Sequence, residues 1–225
     1  MAKRPVKAKT PLTRDAVVAA AITVADRDGL SELSMRRLGA ELGVDAMVLY
    51  RHVRSKDELL DAMADAVMAE TAVIPPPGDG DWTEVARAGA RAFRAALLAH
   101  PGVAPLVVRR PSFGPHTFAL TEVGLAWLRS VGFSESEAPR AFQSLITLVL
   151  GAVSLELSFL ANTGTPLAEQ AQRLAETHRS LPVAQFPHTV AMADRAFPAD
   201  ADAQFDYALD LLLVGLRSRL VSPAD

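Results

Sequence analysis

The sequence predicts an all-α protein, and three observations carry that prediction. Half of the 225 residues are hydrophobic but only 6% are aromatic, and alanine and leucine dominate, a balance that favours helices. Apolar residues recur at spacings of three and four along most of the chain, with no strand-like alternation. Ser, Thr or Asp precedes most of these stretches and Gly or Pro follows them, as helix starts and stops require. About nine or ten helices are expected. The length suits one sizeable core or two modest domains.

The first helix is expected from Thr13, its N-cap, to Asp28, with Gly29 closing it. Val17, Ala20, Ala21, Val24 and Ala25 form its inward stripe. The stretch from Ser34 to Glu58 organises the rest. Ser34 caps a short helix with Leu38 and Leu42 on one face and Gly39 beside them. Gly43 supplies the left-handed residue that ends it, Val44 turns inward, Asp45 caps the next helix, and Leu49 is its inward contact. A small residue at a crossing, a glycine in the turn and apolar contacts beneath are what a helix-turn-helix needs. The outer face of the second helix presents Ala46, Met47, Tyr50 and Arg51, and Arg36, Arg37, His52, Arg54 and Lys56 lie around it. Such donors reach phosphates. The same spacing also serves an αα-hairpin in an ordinary helical core with solvated arginines. Ser55 to Glu58 reads as a capping box that opens a fourth helix, running through Leu59, Leu60, Met63 and Val67 toward Val73.

Prolines and glycines between Ile74 and Asp81 break the chain. Beyond them a helix runs from Trp82 to Ala99, with Val85, Phe93, Leu97 and Leu98 at core spacing, stopped by His100-Pro101-Gly102. A short apolar piece covers Val103 to Val108. Further helices are expected from His116 to Val131, from Ser134 to Asn162, from Leu167 to Arg179 and from Ala201 to Leu220, with a loop and a short turn between Pro182 and Pro198. The last helix is apolar nearly all round, which one body cannot cover, so a second copy is expected against it and the Ser134–Asn162 helix.

There is no cysteine, which excludes disulfides, thiol catalysis and cysteine-based zinc sites. No signal peptide and no run of about 18 uncharged apolar residues is apparent, so a cytoplasmic protein without membrane contact is expected. The net charge of −3 hides an asymmetry: residues 1–60 carry 11 Lys and Arg against 8 Asp and Glu, and the remainder carries 12 against 18. Met1 to Arg14 holds five basic residues and no acid. A basic end on an acidic body suits a protein that places one end on DNA.

The segment LGAELGVDAMVLYRHVRSKDELLDAM, and above all its L-G-V turn (Leu42, Gly43, Val44), Leu49-Tyr50, His52 and Lys56, resembles the DNA-binding domain of the tetracycline-repressor (TetR) family of bacterial transcription regulators. The resemblance implies that Arg36, Ala46, Met47 and Arg51 face bases and that Tyr50, His52 and Lys56 grip phosphates. It also implies a head over residues 10–58 and a helical effector-binding and dimerisation domain over 59–225. Stretches after Trp82, around the LRSVGFSE turn and in the terminal helix resemble the tetracycline-repressor branch itself. That branch implies a homodimer through the last two long helices. Its metal-ligating histidine is replaced here by Leu106, and its polar tetracycline contacts by residues such as Gly124 and Leu155. No metal and no cofactor is therefore expected.

His100, His116, His178 and His188 lack metal-ligand spacing, Ser112 lacks a nucleophile-elbow context, and no glycine loop resembles a phosphate cradle. Gln143, Thr147, Ser154 and Ser158 form a polar stripe on an otherwise apolar helix, which suits either a cavity wall or a subunit interface. With His116 and Thr121 opposite, Gln143, Thr147 and Ser154 are the expected effector contacts; Trp127 and Phe118 are expected in the core. Two function classes stand: a ligand-responsive DNA-binding regulator released from a palindromic operator by a small, mainly apolar effector, or a helical small-molecule binder or enzyme with an incidental helix pair. The second lacks any paired catalytic constellation.

Overall fold

The computed structural model describes residues 11–71, 81–109, 114–163, 167–195 and 200–220, and every regular element among them is helical. The order is α1 (Arg14–Asp28), a 3-10 turn (Leu30–Glu32), α2 (Met35–Leu42), α3 (Ala46–Leu49), α4 (Lys56–Ala69), α5 (Trp82–Ala99) and α6 (Ala104–Arg109). There follow α7 (Pro115–Val131), α8 (Glu137–Thr163), α9 (Leu167–Arg179), α10 (Pro187–Ala191) and α11 (Ala201–Arg217). The expected bounds hold within a few residues, with α4 stopping at Ala69 and α11 at Arg217. The proline-rich break and the basic tail, apart from Asp81 and the residues from Pro11, lie outside the described residues.

These helices form two compact units. One is made from residues up to Ala69 together with His100–Thr117, the other from Glu70–Ala99 together with the residues from Phe118 onward. The division thus falls after Ala69 rather than at residue 58, because α4 packs along α1. In the first unit Val17, Val24, Leu38, Leu49, Leu59 and Met63 are fully buried. The segment containing α6 is fastened to this unit by two carboxylates. Asp26 accepts from the Gly102 N–H at 2.9 Å and lies 2.8 Å from the His100 ring. Asp65, itself buried, accepts from the N–H and hydroxyl of Thr117 at 3.0 Å and meets the His116 ring at 2.9 Å.

In the second unit α5 and α11 both pack on α8. α5 and α11 run antiparallel, joined by a ladder of ion pairs: Arg87–Asp210, Arg91–Asp206 at 2.7 Å and Arg94–Asp202 at 2.6 Å, continued by Asp81–Arg217 at 2.7 Å. Trp82 stands edge-on to Phe133, with ring centres 5.5 Å apart, and 6.3 Å from Trp127. Trp127 is buried as expected, but Phe118 is exposed. By length and composition α8 is apolar enough over Glu137–Ser158 to cross a membrane, although it contains Arg140 and Glu156. Its packing against α5 and α11 accounts for part of that character.

Candidate nucleic-acid interface and ligand cavity

The turn between α2 and α3 is built as its residues dictate. The Ser34 hydroxyl accepts from the Arg37 N–H at 3.1 Å, and the Asp45 carboxylate accepts from the Met47 N–H at 2.8 Å. Gly43 has φ +64°, the left-handed value that glycine adopts without a Cβ clash. A Cβ on Gly39 would lie 2.9 Å from the Val44 carbonyl oxygen, so only glycine lets the two helices approach this closely. Leu49 is fully buried and anchors α3 from below. With that side fixed, the opposite side of the short helix faces outward: Met47 is 72% exposed and Tyr50 44%. α4 opens on a modified capping box. The Ser55 hydroxyl accepts from the Glu58 N–H at 3.1 Å, but the Glu58 carboxylate reaches back to the Arg54 N–H at 2.7 Å rather than to Ser55.

The basic residues divide into two groups. Arg37 bonds Asp28 at 2.9 Å, Arg27 bonds both Asp28 and Glu41, and Arg14 bonds Glu58. Arg27 first, and then Arg37, hold the Asp28 carboxyl at about 2. The Arg54 N–H and then Arg14 hold Glu58 below the ordinary carboxylate range. These cations are neutralised within the unit. Arg36, Arg51 and Lys56 are exposed, and their side chains make no hydrogen bond or ion pair among the described residues. Of the expected donors around α3, Arg37 is tied to Asp28. Ala46 and His52 are half-buried.

The second unit contains a half-open cavity of about 70 Å³, or about 610 Å³ of atom-free space when the solvent at its mouth is included. α5 contributes Ala86, Gly89, Ala90 and Phe93; α7 contributes Leu120, Gly124 and Trp127; α8 contributes Phe142, Leu145, Ile146 and Val149. Among the described residues the one side-chain hydroxyl in the wall belongs to Thr71, and none of those lining it is charged. Gly124 leaves room for the Phe142 ring, which a Cβ at that position would strike.

None of His116, Thr121, Gln143, Thr147 or Ser154 is in this wall. His116 is held by Asp65 in the first unit, and Thr121 and Ser154 are half-buried elsewhere. Gln143 and Thr147 bond one another at 3.3 Å on an open groove shared with Arg140, Leu148 and Leu212. The reason is helical rotation: Phe142, Leu145, Ile146 and Val149 follow the i, i+3, i+4, i+7 rule on a different face from the polar stripe. That apolar stripe was the signal available in the sequence. Among the described residues no group of three or more His, Asp or Glu side chains is placed to hold a metal ion.

Comparison with known proteins places this arrangement. Residues 17–63 match the family described as bacterial regulatory proteins, tetR family, and residues 74–220 match the tetracyclin repressor-like C-terminal domain. An HTH-type transcriptional regulator of Saccharopolyspora erythraea is 35% identical over 217 residues, covering 93% of this chain and 86% of the relative. The HTH-type transcriptional repressor DrrR1 of Streptomyces coeruleorubidus is 34% identical, covering 95% and 81%. Apo ActR of Streptomyces coelicolor superposes with a TM-score of 0.83 at 33% identity, covering 94% of this chain and 98% of that one. ActR has also been solved with actinorhodin, and that structure superposes with a TM-score of 0.82 at 34% identity over 93% of this chain and 98% of that one. A helix-turn-helix head, a helical second unit with a cavity, and matches along nearly the whole length lead to one conclusion: the chain belongs to the TetR family, and it is a DNA-binding transcriptional regulator rather than an enzyme.

Proposed function

We propose that this regulator is a homodimeric repressor that leaves a palindromic operator when a mainly apolar effector occupies the cavity of the second unit. The carrying observation is that cavity: it is lined by Phe93, Trp127 and Phe142 with no charged residue among the described ones, so it offers shape and ring contact and little else. A charged ligand would be desolvated there without a partner, at a cost of several kcal/mol. ActR, solved with actinorhodin, and the tetracycline repressors among the relatives support a ring-rich effector. The 70 Å³ is smaller than a typical ligand pocket of roughly 300–1,000 Å³, so the ligand displaces wall side chains. An effector that binds the widened shape better than the closed one shifts the population toward it, and DNA release follows if the closed shape is the one that fits the operator.

At the DNA end, Arg36, Ala46, Met47 and Arg51 face base edges, and Tyr50, His52 and Lys56 hold phosphates. The exposure of Arg36, Arg51 and Lys56, without a side-chain partner among the described residues, supports this assignment. Dimerisation runs through α8 and α11. Leu155 on α8 is 64% exposed, and Tyr207, Leu211 and Val214 on α11 are 62%, 59% and 73% exposed, an apolar surface that a second copy would cover.

The test uses the whole chain. Sedimentation at micromolar concentration should give about twice 24.0 kDa. A random duplex library should yield a palindromic site bound with steep salt dependence. A thermal-shift screen of neutral polycyclic compounds should give stabilising hits that survive EDTA and weaken the selected site. Hits confined to charged metabolites, or hits abolished by EDTA, would overturn the effector reading; a monomer would overturn the palindrome.

A further inference from the structure

A single exposed apolar side chain needs no explanation by itself. Met47 differs because of where it is pinned. Its own backbone N–H is held by Asp45 at 2.8 Å, the turn before it is fixed by Gly43, and Leu49 two residues on is fully buried. The backbone that carries Met47 is therefore rigid, and its side chain, 72% exposed, projects from the outward side of α3. Of the exposed large hydrophobic side chains among the described residues of this unit it is the more exposed of two, the other being Tyr50 at 44%, which carries a hydroxyl.

A thioether has no donor and only a weak acceptor. Methionine therefore contributes little to the donor and acceptor code of the major groove. Pressed against a purine N7 or a cytosine amino group, it would leave that group desolvated and unpaired, which is unfavourable. The natural major-groove edge carries one apolar group, the C5 methyl of thymine. We infer that Met47 reads a thymine C5 methyl in each operator half-site, so that the operator contains a thymine selected for its methyl group and not for its hydrogen-bonding edge. This rests on the proposed reading of α3 as the base-facing helix. It goes further in naming what Met47 recognises.

The experiment begins with a site selected by the full-length protein from random duplex DNA. Each thymine of the half-site is then replaced in turn by deoxyuridine, symmetrically in both halves, and affinities are compared at one salt concentration for wild type, Met47→Ala and Met47→Leu. Burying one methyl-sized apolar group corresponds to about a fourfold change per half-site, or about 15-fold over both. The wild type should lose that factor at one thymine position. Met47→Ala should show no loss there while keeping any losses at other thymines, and Met47→Leu should retain the loss. At the same position 5-methylcytosine should bind the wild type about fourfold per half-site better than cytosine, and Met47→Ala should not distinguish the two.

Removing a methyl also changes duplex shape, and the cycle separates the effects, because a shape effect persists in Met47→Ala. If every deoxyuridine penalty persists in Met47→Ala, or if no thymine shows one, the inference is overturned while the operator reading stands. If the wild type selects no site at all, the operator reading fails and takes this inference with it. The exposure of Met47 means that its truncation removes no core contact, so a folding defect does not confuse the comparison.

Discussion

Replacing Arg94 should cost the second unit far more than replacing Arg91, although both pair with aspartates on α11. The Arg94 side chain is 9% exposed. It reaches Asp202 at 2.6 Å and Glu156 at 2.8 Å, and lies 5.1 Å from the centre of the Phe205 ring. Burial alone would lower its pKa, but Asp202 and Glu156 more than offset that and hold it raised. Arg94→Ala leaves Glu156, whose side chain is 20% exposed, without its cation, and removes the bridge between α5, α8 and α11. Breaking one side of a buried pair costs about 3–5 kcal/mol. Water reaches Asp202, which is 81% exposed, so the low end, about 3 kcal/mol, is expected. Arg91 is 52% exposed, and despite its two bonds to Asp206 its loss should cost no more than about 1 kcal/mol.

Urea unfolding followed by circular dichroism checks both values. The double change Arg94→Met with Glu156→Gln should be milder than the sum of the single changes by about 2 kcal/mol, because it removes the buried charge together with its partner. Molar salt should erase the Arg91 effect and leave most of the Arg94 effect. Equal losses for Arg94→Ala and Arg91→Ala, or strict additivity in the double variant, would refute the claim that this ladder has one buried rung and exposed ones around it.

Three further outcomes are expected. Gly39→Ala should destabilise the head by about 1–3 kcal/mol, despite alanine's better helix propensity, because the added Cβ meets the Val44 and Ala46 backbone; thermal melting and duplex binding should both report it. Burial pushes the Asp65 carboxyl up, but the Thr117 N–H, the His116 ring and the other donors pull it below its ordinary value, so its stabilisation is full above about pH 4 and is lost as pH falls through the lowered folded value; Asp65→Ala should therefore cost about 2–3 kcal/mol at pH 7 by urea unfolding, with the difference from wild type shrinking toward pH 2. Lys56→Ala should weaken all duplexes alike and reduce the salt slope by about one, whereas Arg36→Ala should lose about 1–3 kcal/mol of discrimination at one base pair per half-site, both read by fluorescence anisotropy on matched and mismatched sites.

The parts legible in the sequence are those fixed by near neighbours. Ser34, Gly39, Gly43, Asp45 and Leu49 act over a few residues, so their roles in the turn follow from spacing alone. Ion pairs do not work that way. Arg37 looks like a phosphate donor in sequence, and only the fold brings Asp28 to it. The α5–α11 ladder joins residues more than a hundred positions apart, such as Arg94 and Asp202, and no local pattern announces it. Asp65 reads as one more charge on α4, yet it is buried because α7 begins against it.

The cavity was hidden for a different reason, which bears on how ligand sites in helical bundles are read. Gln143 and Thr147 are polar residues on an apolar helix, but their side chains stay in solvent contact and bond each other. An apolar cavity is walled by the stripe that looks like ordinary core. What distinguishes it is a shortage of volume: α5 places Ala86, Gly89 and Ala90 opposite the rings of Trp127 and Phe142, and Gly124 leaves a gap that the Phe142 ring only partly takes up. Small residues facing large ones can interlock and fill space, but three small residues in succession along one wall leave a void that two rings cannot close. The same helix explains its membrane-like composition without a membrane. α8 turns Phe142, Ile146 and Val149 to the cavity and still leaves Leu155 in solvent beside α11, whose Leu211 and Val214 are also bare. A helix that serves a cavity on one side and, in the proposed dimer, a second copy on another needs apolar residues nearly all round, and that need would account for its composition.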